Sequence, residues 1–396
     1  MRYSRVVYSK QPELSSPSGY LDRLPSEWAA VLESMGEPPY RAVQVFRWIH
    51  SRGVVDPRQM TDLPIRLREK LREVIGVPSL QVVGCLQSQE DATRKFLLRT
   101  KDAWEIETVL IPMAKDEVEE DGEGEVPQKS LPFTQCVSTQ VGCAMGCAFC
   151  ASGIAGLKRS LNAEEIIAQV WIGRSLLAPQ QRLRNVVFMG MGEPLANYEA
   201  LARSLVVLTH PDGIGLGKRR ITVSTAGWVP GIDRLGKDFM GEVQLAVSLH
   251  APTDELRTML MPINRRYPLG ELIDALRRYP LPPRRRITIE YTLIGGVNDS
   301  PMLARDLLRL LRGIRVKVNL IPWNPIDGVG FQVPSEEAVE SFQDILCHGG
   351  IPTFRRQRKG ADIDAACGQL ALKGNARRVR IPLWVSTSLK PRNASP

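Results

Sequence analysis

The spacing of apolar positions changes near residue 135 and divides this chain into two unlike parts. Upstream, the run from Pro39 to Ile49 sketches an amphipathic helix opened by a proline, and Leu63–Val74 gives a second helical period with Leu67 and Leu71 on one face. Two apolar runs, Lys95–Leu98 and Trp104–Ile111, flank the turn Lys101-Asp102 and predict a β-hairpin. Downstream, short apolar strands alternate with longer helical stretches. The strands are predicted at Gln135–Val141, Asn185–Met189, Ile221–Ser224, Val243–Ser248, Ile287–Leu293 and Val316–Ile321. Helices are predicted at Ala163–Leu177, Tyr198–Leu208, Leu269–Arg278 and Met302–Leu311, with a last one at Ser335–Gly349. Six βα repeats imply an α/β fold whose parallel sheet curves into a partial (β/α)6 barrel, preceded by a small N-terminal α+β domain. In such a barrel the carboxyl ends of the strands carry the site.

The expected domains are an accessory, RNA-contacting or packing unit at 1–112, a loop at 113–130, the barrel with a catalytic loop at 131–370, and a basic tail at 371–396. The loop has no hydrophobic period and concentrates seven acidic residues between Asp116 and Glu125, so it is expected to be disordered. The 396 residues are 43% hydrophobic, enough for a sizeable core. A formal net charge of +9, in spite of that acidic loop, favours a polyanionic partner such as nucleic acid. Lys218-Arg219-Arg220, Arg284-Arg285-Arg286, Arg355-Arg356 with Arg358-Lys359, and Arg377-Arg378 are candidates for phosphate contacts. The amino terminus leads into polar sequence without an apolar signal region, and no apolar run approaches the roughly 20 residues that span a bilayer. A reducing cytoplasm, with no membrane association, is the expected location. There, clustered cysteines serve as metal ligands or catalysts.

Three of the seven cysteines form such a cluster. Cys143, Cys147 and Cys150 stand at C-x3-C-x2-C spacing just after the first barrel strand, with no fourth ligand nearby. An iron–sulfur cube held by three thiolates keeps one iron open for a substrate. A structural zinc site would be closed by four ligands and would need a distant Cys136 or a histidine. A non-catalytic, zinc-stabilised RNA-binding protein is therefore the alternative of another class. A second motif, Met189-Gly190-Met191-Gly192-Glu193-Pro194, ends the second strand in a glycine-rich turn and a carboxylate. Glycines let backbone approach a ligand closely, and Glu193 can hold an ammonium group.

Together these motifs resemble the radical S-adenosylmethionine (SAM) superfamily. The resemblance extends from about Pro39 to Leu370 and points to the branch of 23S rRNA adenine methyltransferases that holds the RlmN and Cfr families. Cys136–Cys143, Ser248–Pro252, Gly295–Ser300, Ile321–Pro325 and Asp362–Leu370 carry it. It implies a [4Fe-4S] cluster on Cys143, Cys147 and Cys150 whose open iron chelates SAM, with an electron cleaving the sulfonium to a 5′-deoxyadenosyl radical. It also implies SAM contacts from Gly192, Glu193, Ser224, Ser248, Leu249, His250 and Asn324. The segment between Pro112 and Cys136 is longer and more acidic than is usual in the family.

Cys367 lies in a loop preceded by Arg355, Arg356, Arg358 and Lys359, and a thiol beside cations is a competent nucleophile. By resemblance, Cys367 accepts a methyl group from one SAM and a radical made from a second SAM removes a hydrogen from it. The resulting carbon radical adds to an adenine ring carbon, which is not itself a nucleophile. Cys136 matches the resolving cysteine that frees the product through a disulfide. Glu107 resembles the proton acceptor, although Glu105 is an equal choice from the residues alone. Cys85 and Cys347 match nothing functional and read as buried small residues. The implied activity is methylation of adenine C2 in 23S rRNA and of the adenosine 3′ to the anticodon in some tRNAs. The Cfr-type C8 outcome is the nearest rival. A flipped or loop adenine is required, and the expected partners are those RNAs and an electron donor such as flavodoxin or ferredoxin, with the enzyme a monomer.

Overall fold

The computed structural model describes residues 12–113 and 131–370; the acidic run 116–125 and the basic tail 371–396 lie outside the described residues. Ten strands form one continuous sheet. β1 (Leu80–Gln87), β2 (Arg94–Thr100) and β3 (Glu105–Pro112) are an antiparallel meander. β3 then pairs antiparallel with β4 (Leu131–Cys136), setting Val109 opposite Cys136. From β4 onward the sheet is parallel. After a two-stranded ladder of β5 (Gln140–Val141) and β6 (Arg159–Ser160), it continues through β7 (Gln181–Phe188), β8 (Ile221–Thr225), β9 (Gln244–Ser248), β10 (Ile287–Leu293), β11 (Val316–Pro322) and the short β12 (Thr353–Arg355). The six expected barrel strands are all present, and β10 is buried along its whole length, as a strand covered on both faces must be.

Three features differ from the expectation. The hairpin has a third strand, β1, whose period is interrupted by a register shift between Val82 and Gly84. The expected first barrel strand stops at Cys136 instead of running to Val141. There Ser138 turns off the sheet, its amide held by Gln169 Oε1 at 2.9 Å and its hydroxyl donating to the Glu107 carbonyl at 2.6 Å. Helices at Pro25–Ser34, Val229–Phe239 and Asp254–Leu260 were not anticipated. In the second of these Gly231 weakens the helical signal, yet a Cβ there would sit 2.5 Å from Leu195 Cβ, so close packing demands the glycine.

The amino-terminal helices cover the barrel's helix Ala163–Ser175, which explains why that helix is buried on nearly all sides. Trp171 Nε1 and the Arg174 guanidinium donate to the carbonyls of Ile49, His50 and Ser51. Arg203, 1% exposed, donates to the Asp22 carbonyl and pairs with Glu27. Meander and helices together bring the amino-terminal third against the edge of the barrel nearest the cysteine loop. Among the described residues no helix is long and apolar enough to cross a membrane.

Candidate active site

At the carboxyl ends of the parallel strands a cavity is lined by Cys143, Cys147 and Cys150 on one wall and by Glu193, Ser224, Ser248 and His250 on others. Cys367 and Gly368 close it from the carboxyl-terminal loop. Motifs separated by more than two hundred residues therefore meet where the fold rule places chemistry.

The cysteine loop is held from three sides. The Ala148 amide donates to the Leu260 carbonyl at 2.9 Å, Ala151 to the Gly368 carbonyl at 2.8 Å, and Trp323 Nε1 to the Phe149 carbonyl at 3.4 Å. Burial pushes the Cys143 thiol up to about 12 and raises Cys147 and Cys150 as well, since a dry wall disfavours thiolates. Such thiols ionise only against a cation that replaces their protons. Among the described residues no three His, Cys, Asp or Glu side chains converge as a single ion requires. Three thiols lining one cavity are a soft donor set that fits an iron–sulfur cluster.

Gly192 adopts φ +102°, and a Cβ on it would lie 2.5 Å from Gln140 Cβ, so only glycine fits. Its turn delivers Glu193 into the cavity. One carboxylate oxygen accepts from the Leu195 amide at 3.0 Å and the other from Ala226 at 2.7 Å. Burial nevertheless lifts this carboxyl to about 7, because two amides do not replace bulk water. An ammonium beside it would restore the ionised form. His250 sits at φ +58° with its Nδ1 accepting from the Thr292 amide at 2.8 Å. Burial pushes its pKa down to about 3, so the imidazole is neutral and its hydrogen is on Nε2. Its ring meets Phe149, of the cysteine loop, edge-on at 4.7 Å.

Two expected contacts do not line the cavity. Leu249 is fully buried, its amide donating to the Glu290 backbone carbonyl and its own carbonyl accepting from Arg257. Asn324 instead donates from Nδ2 to the Cys367 carbonyl at 3.0 Å, shaping the thiol-bearing loop. Cys136 lies at the end of β4, and burial with Cys367 nearby pushes its thiol up to about 12. Both are free cysteines. Glu107 is buried on β3, where Lys95 Nζ approaches its carboxylate at 3.1 Å. The equal candidate Glu105 pairs with Arg99 on the outer end of that strand.

Other residues enter the site unannounced. Glu290, fully buried on β10, lines the cavity opposite Arg356, whose Nη1 stands 3.9 Å from its carboxylate. An acid inside the apolar run Ile287–Leu293 was the available signal. Arg257, 0% exposed, donates to the carbonyls of Leu249 and Ala226 and to Asn264, fastening the ends of β8 and β9 together. Of the basic runs, Lys218–Arg220 and Arg284–Arg286 precede β8 and β10 and so lie at the edge away from the cavity. Of the run 355–359, Arg355 ends β12 and pairs with Glu336, and Arg356 lines the cavity. Cys85 is half-buried and Cys347 exposed, contrary to the expectation that both are buried.

Comparison with known proteins agrees with this geometry. Residues 21–77 match the ribosomal RNA large subunit methyltransferase N-terminal domain, and residues 137–307 match the radical SAM superfamily. A dual-specificity RNA methyltransferase RlmN from Sorangium cellulosum is 54% identical over 92% of this chain and 98% of its own length. One from Marinobacter nauticus is 46% identical over 90% and 93%. The crystal structure of a radical SAM methyltransferase from Sphaerobacter thermophilus superposes with a TM-score of 0.81 at 46% identity, covering 89% of this chain and 99% of that one. The chain belongs to the RlmN family of dual-specificity, radical SAM RNA methyltransferases.

Proposed function

We propose that this enzyme methylates C2 of an adenosine in 23S rRNA and of the adenosine 3′ to the anticodon in some tRNAs, through a methyl group carried on Cys367 and with two SAM molecules per turnover. The observation that carries the reading is that the free thiol of Cys367 lines the same cavity as Cys143, Cys147 and Cys150, with a second free thiol, Cys136, near enough to feel its charge.

Cys143, Cys147 and Cys150 would hold the cluster, and Gly192, Glu193, Ser224, Ser248 and His250 would surround SAM. When bound, these groups supply the methyl group and the hydrogen-abstracting radical. This chain's own residues do the rest. The Cys367 sulfur carries the methyl, with Asn324 donating to the residue's carbonyl and Cys367 itself in the cavity lining. After hydrogen abstraction the carbon-centred radical adds to the ring carbon and joins the base to the enzyme. The ring proton must then leave to Glu107 and one electron to an acceptor, for which the cluster that Cys143, Cys147 and Cys150 would hold is the group at hand. As the Cys136 thiol gives up its proton its sulfur attacks the Cys367 sulfur, an S–S bond forms, and the C–S electron pair passes to the carbon, which takes up a proton as the product methyl. Burial keeps Cys136 protonated at rest, so it does not compete for the methyl group.

A small electron-transfer protein such as flavodoxin or ferredoxin would supply electrons to a monomeric, cytoplasmic enzyme. Arg358 and Lys359, which follow the cavity-lining Arg356 in the chain, suit phosphate contacts around an extruded adenine. The test is anaerobic reconstitution, turnover on 23S rRNA fragments and on tRNA, then nuclease digestion and mass spectrometry of the nucleosides. The expected product is 2-methyladenosine. Recovery of 8-methyladenosine, or of a colourless zinc protein without turnover, overturns the reading.

A further inference from the structure

Lys95 is buried on β2 although it shares a strand face with the partly buried Leu97 and Arg99, opposite the core face of Phe96 and Leu98, and a charge that is buried needs partners. It has two, on different segments. Its Nζ stands 3.1 Å from the Glu107 carboxylate on the adjacent β3 and donates to the Asp364 carbonyl at 3.0 Å. Asp364 lies three residues before Cys367, at φ +50°, where the loop turns sharply. One ammonium therefore touches both the acid assigned as base and the segment that carries the methyl group.

The turn between β1 and β2 completes the grip. The Gly360 amide donates to Asp91 Oδ2 at 2.8 Å, and the Gln89 amide to Asp362 Oδ2 at 3.0 Å. The other half of the loop is fastened to the barrel independently. Asn324 donates to the Cys367 carbonyl, and Gln369 Nε2 to the Pro325 carbonyl at 3.0 Å. Losing the Lys95 contact would leave that barrel-side anchorage of Cys367 in place.

We infer that Lys95 is a positioning residue for product release, locking the Glu107 carboxylate and the Cys367 loop into one geometry. The inference rests on the proposed role of Glu107. The step concerned is the proton transfer from the ring carbon of the enzyme-bound base. The C–H pair stays with the ring and the proton moves to a Glu107 oxygen. A carboxylate free to rotate, or a loop shifted relative to it, loses hydrogen-bond reach of that proton. Loading the methyl group onto Cys367 does not need Glu107 and continues.

The experiment compares the parent enzyme with Lys95→Met, Lys95→Arg and Glu107→Gln, each reconstituted anaerobically and given SAM and the rRNA fragment. Peptide mass spectrometry reads methyl-Cys367, and a denaturing gel reads protein covalently bound to RNA. Lys95→Met is expected to keep parental methyl-Cys367, lose at least tenfold in product formation, and accumulate the covalent species as Glu107→Gln does. Lys95→Arg, which retains charge and donors, recovers part of the rate. If the methionine variant melts below the assay temperature, Lys95→Gln keeps a donor for the Asp364 carbonyl and gives the same readout. Product formation within twofold of the parent, or loss of methyl-Cys367 without a covalent species, overturns the inference. If Glu107→Gln itself accumulates no covalent species, the assignment of the base falls, and the Lys95 inference with it. If Glu107→Gln accumulates it and Lys95→Met does not, only the latter falls.

Discussion

Replacing His250 by alanine removes two interactions that the structure shows separately, and their sum is measurable. The Thr292 amide, which donates to Nδ1 at 2.8 Å, becomes a buried N–H without a partner. That loss is worth about 1–3 kcal/mol. The edge-on contact with Phe149, centroids 4.7 Å apart and planes at 73°, contributes about 0.5–1.5 kcal/mol more. Together they set an expected destabilisation of about 1.5–4.5 kcal/mol. Because Phe149 stands between Cys147 and Cys150, the loosened loop is also expected to retain the cluster poorly. Urea unfolding of the apoprotein measures the first effect, and iron content after reconstitution the second. His250→Asn is expected to recover about half of the stability, since asparagine tolerates a left-handed backbone and its Oδ1 can accept from the same amide. Burial also predicts that the His250 imidazole stays neutral through the range in which free histidines titrate, near 6.5. An alanine variant within about 0.5 kcal/mol of the parent, against the roughly 1.5–4.5 expected, would refute the argument. So would an NMR titration of His250 near its ordinary value.

Glu193, lifted to about 7, must ionise to hold an ammonium, so SAM affinity measured calorimetrically should rise with pH up to about 7 and level off above it. The same shift makes the unliganded protein lose stability as pH rises from the ordinary 4.5 toward 7, a trend that Glu193→Gln should flatten. Gly192→Ala forces a Cβ to within 2.5 Å of Gln140 at φ +102°. Backbone strain of about 1–3 kcal/mol plus the clash should abolish detectable SAM binding, and unchanged binding would contradict the turn's role. Cys367→Ala should give no product and no covalent RNA species, whereas Cys136→Ala should form methyl-Cys367 and trap the RNA on the enzyme. Release from Cys136→Ala at the parental rate would remove Cys136 from the reaction.

Chemistry was readable from the chain wherever one short segment contains it. Cys143, Cys147 and Cys150 share a loop, and Gly192 and Glu193 share a turn, so spacing alone brings their groups together. The alternation of apolar strands and helices likewise determined the parallel barrel, because burial on both faces leaves a period that local sequence must obey. What the chain could not disclose is register between distant segments. Val109 lies opposite Cys136, and that pairing, set by β3 joining β4, carries Glu107 to the barrel and separates it from the otherwise equal Glu105. Lys95 read as a strand residue and Arg356 as one of four clustered cations until the sheet turned the first toward Glu107 and the second toward Glu290. Which side of a strand faces the core, and what waits there, is decided by packing over hundreds of residues. Arg257 shows the same limit, since a guanidinium is buried only where three backbone or amide oxygens from separate elements converge on it, and that convergence exists only in the folded chain.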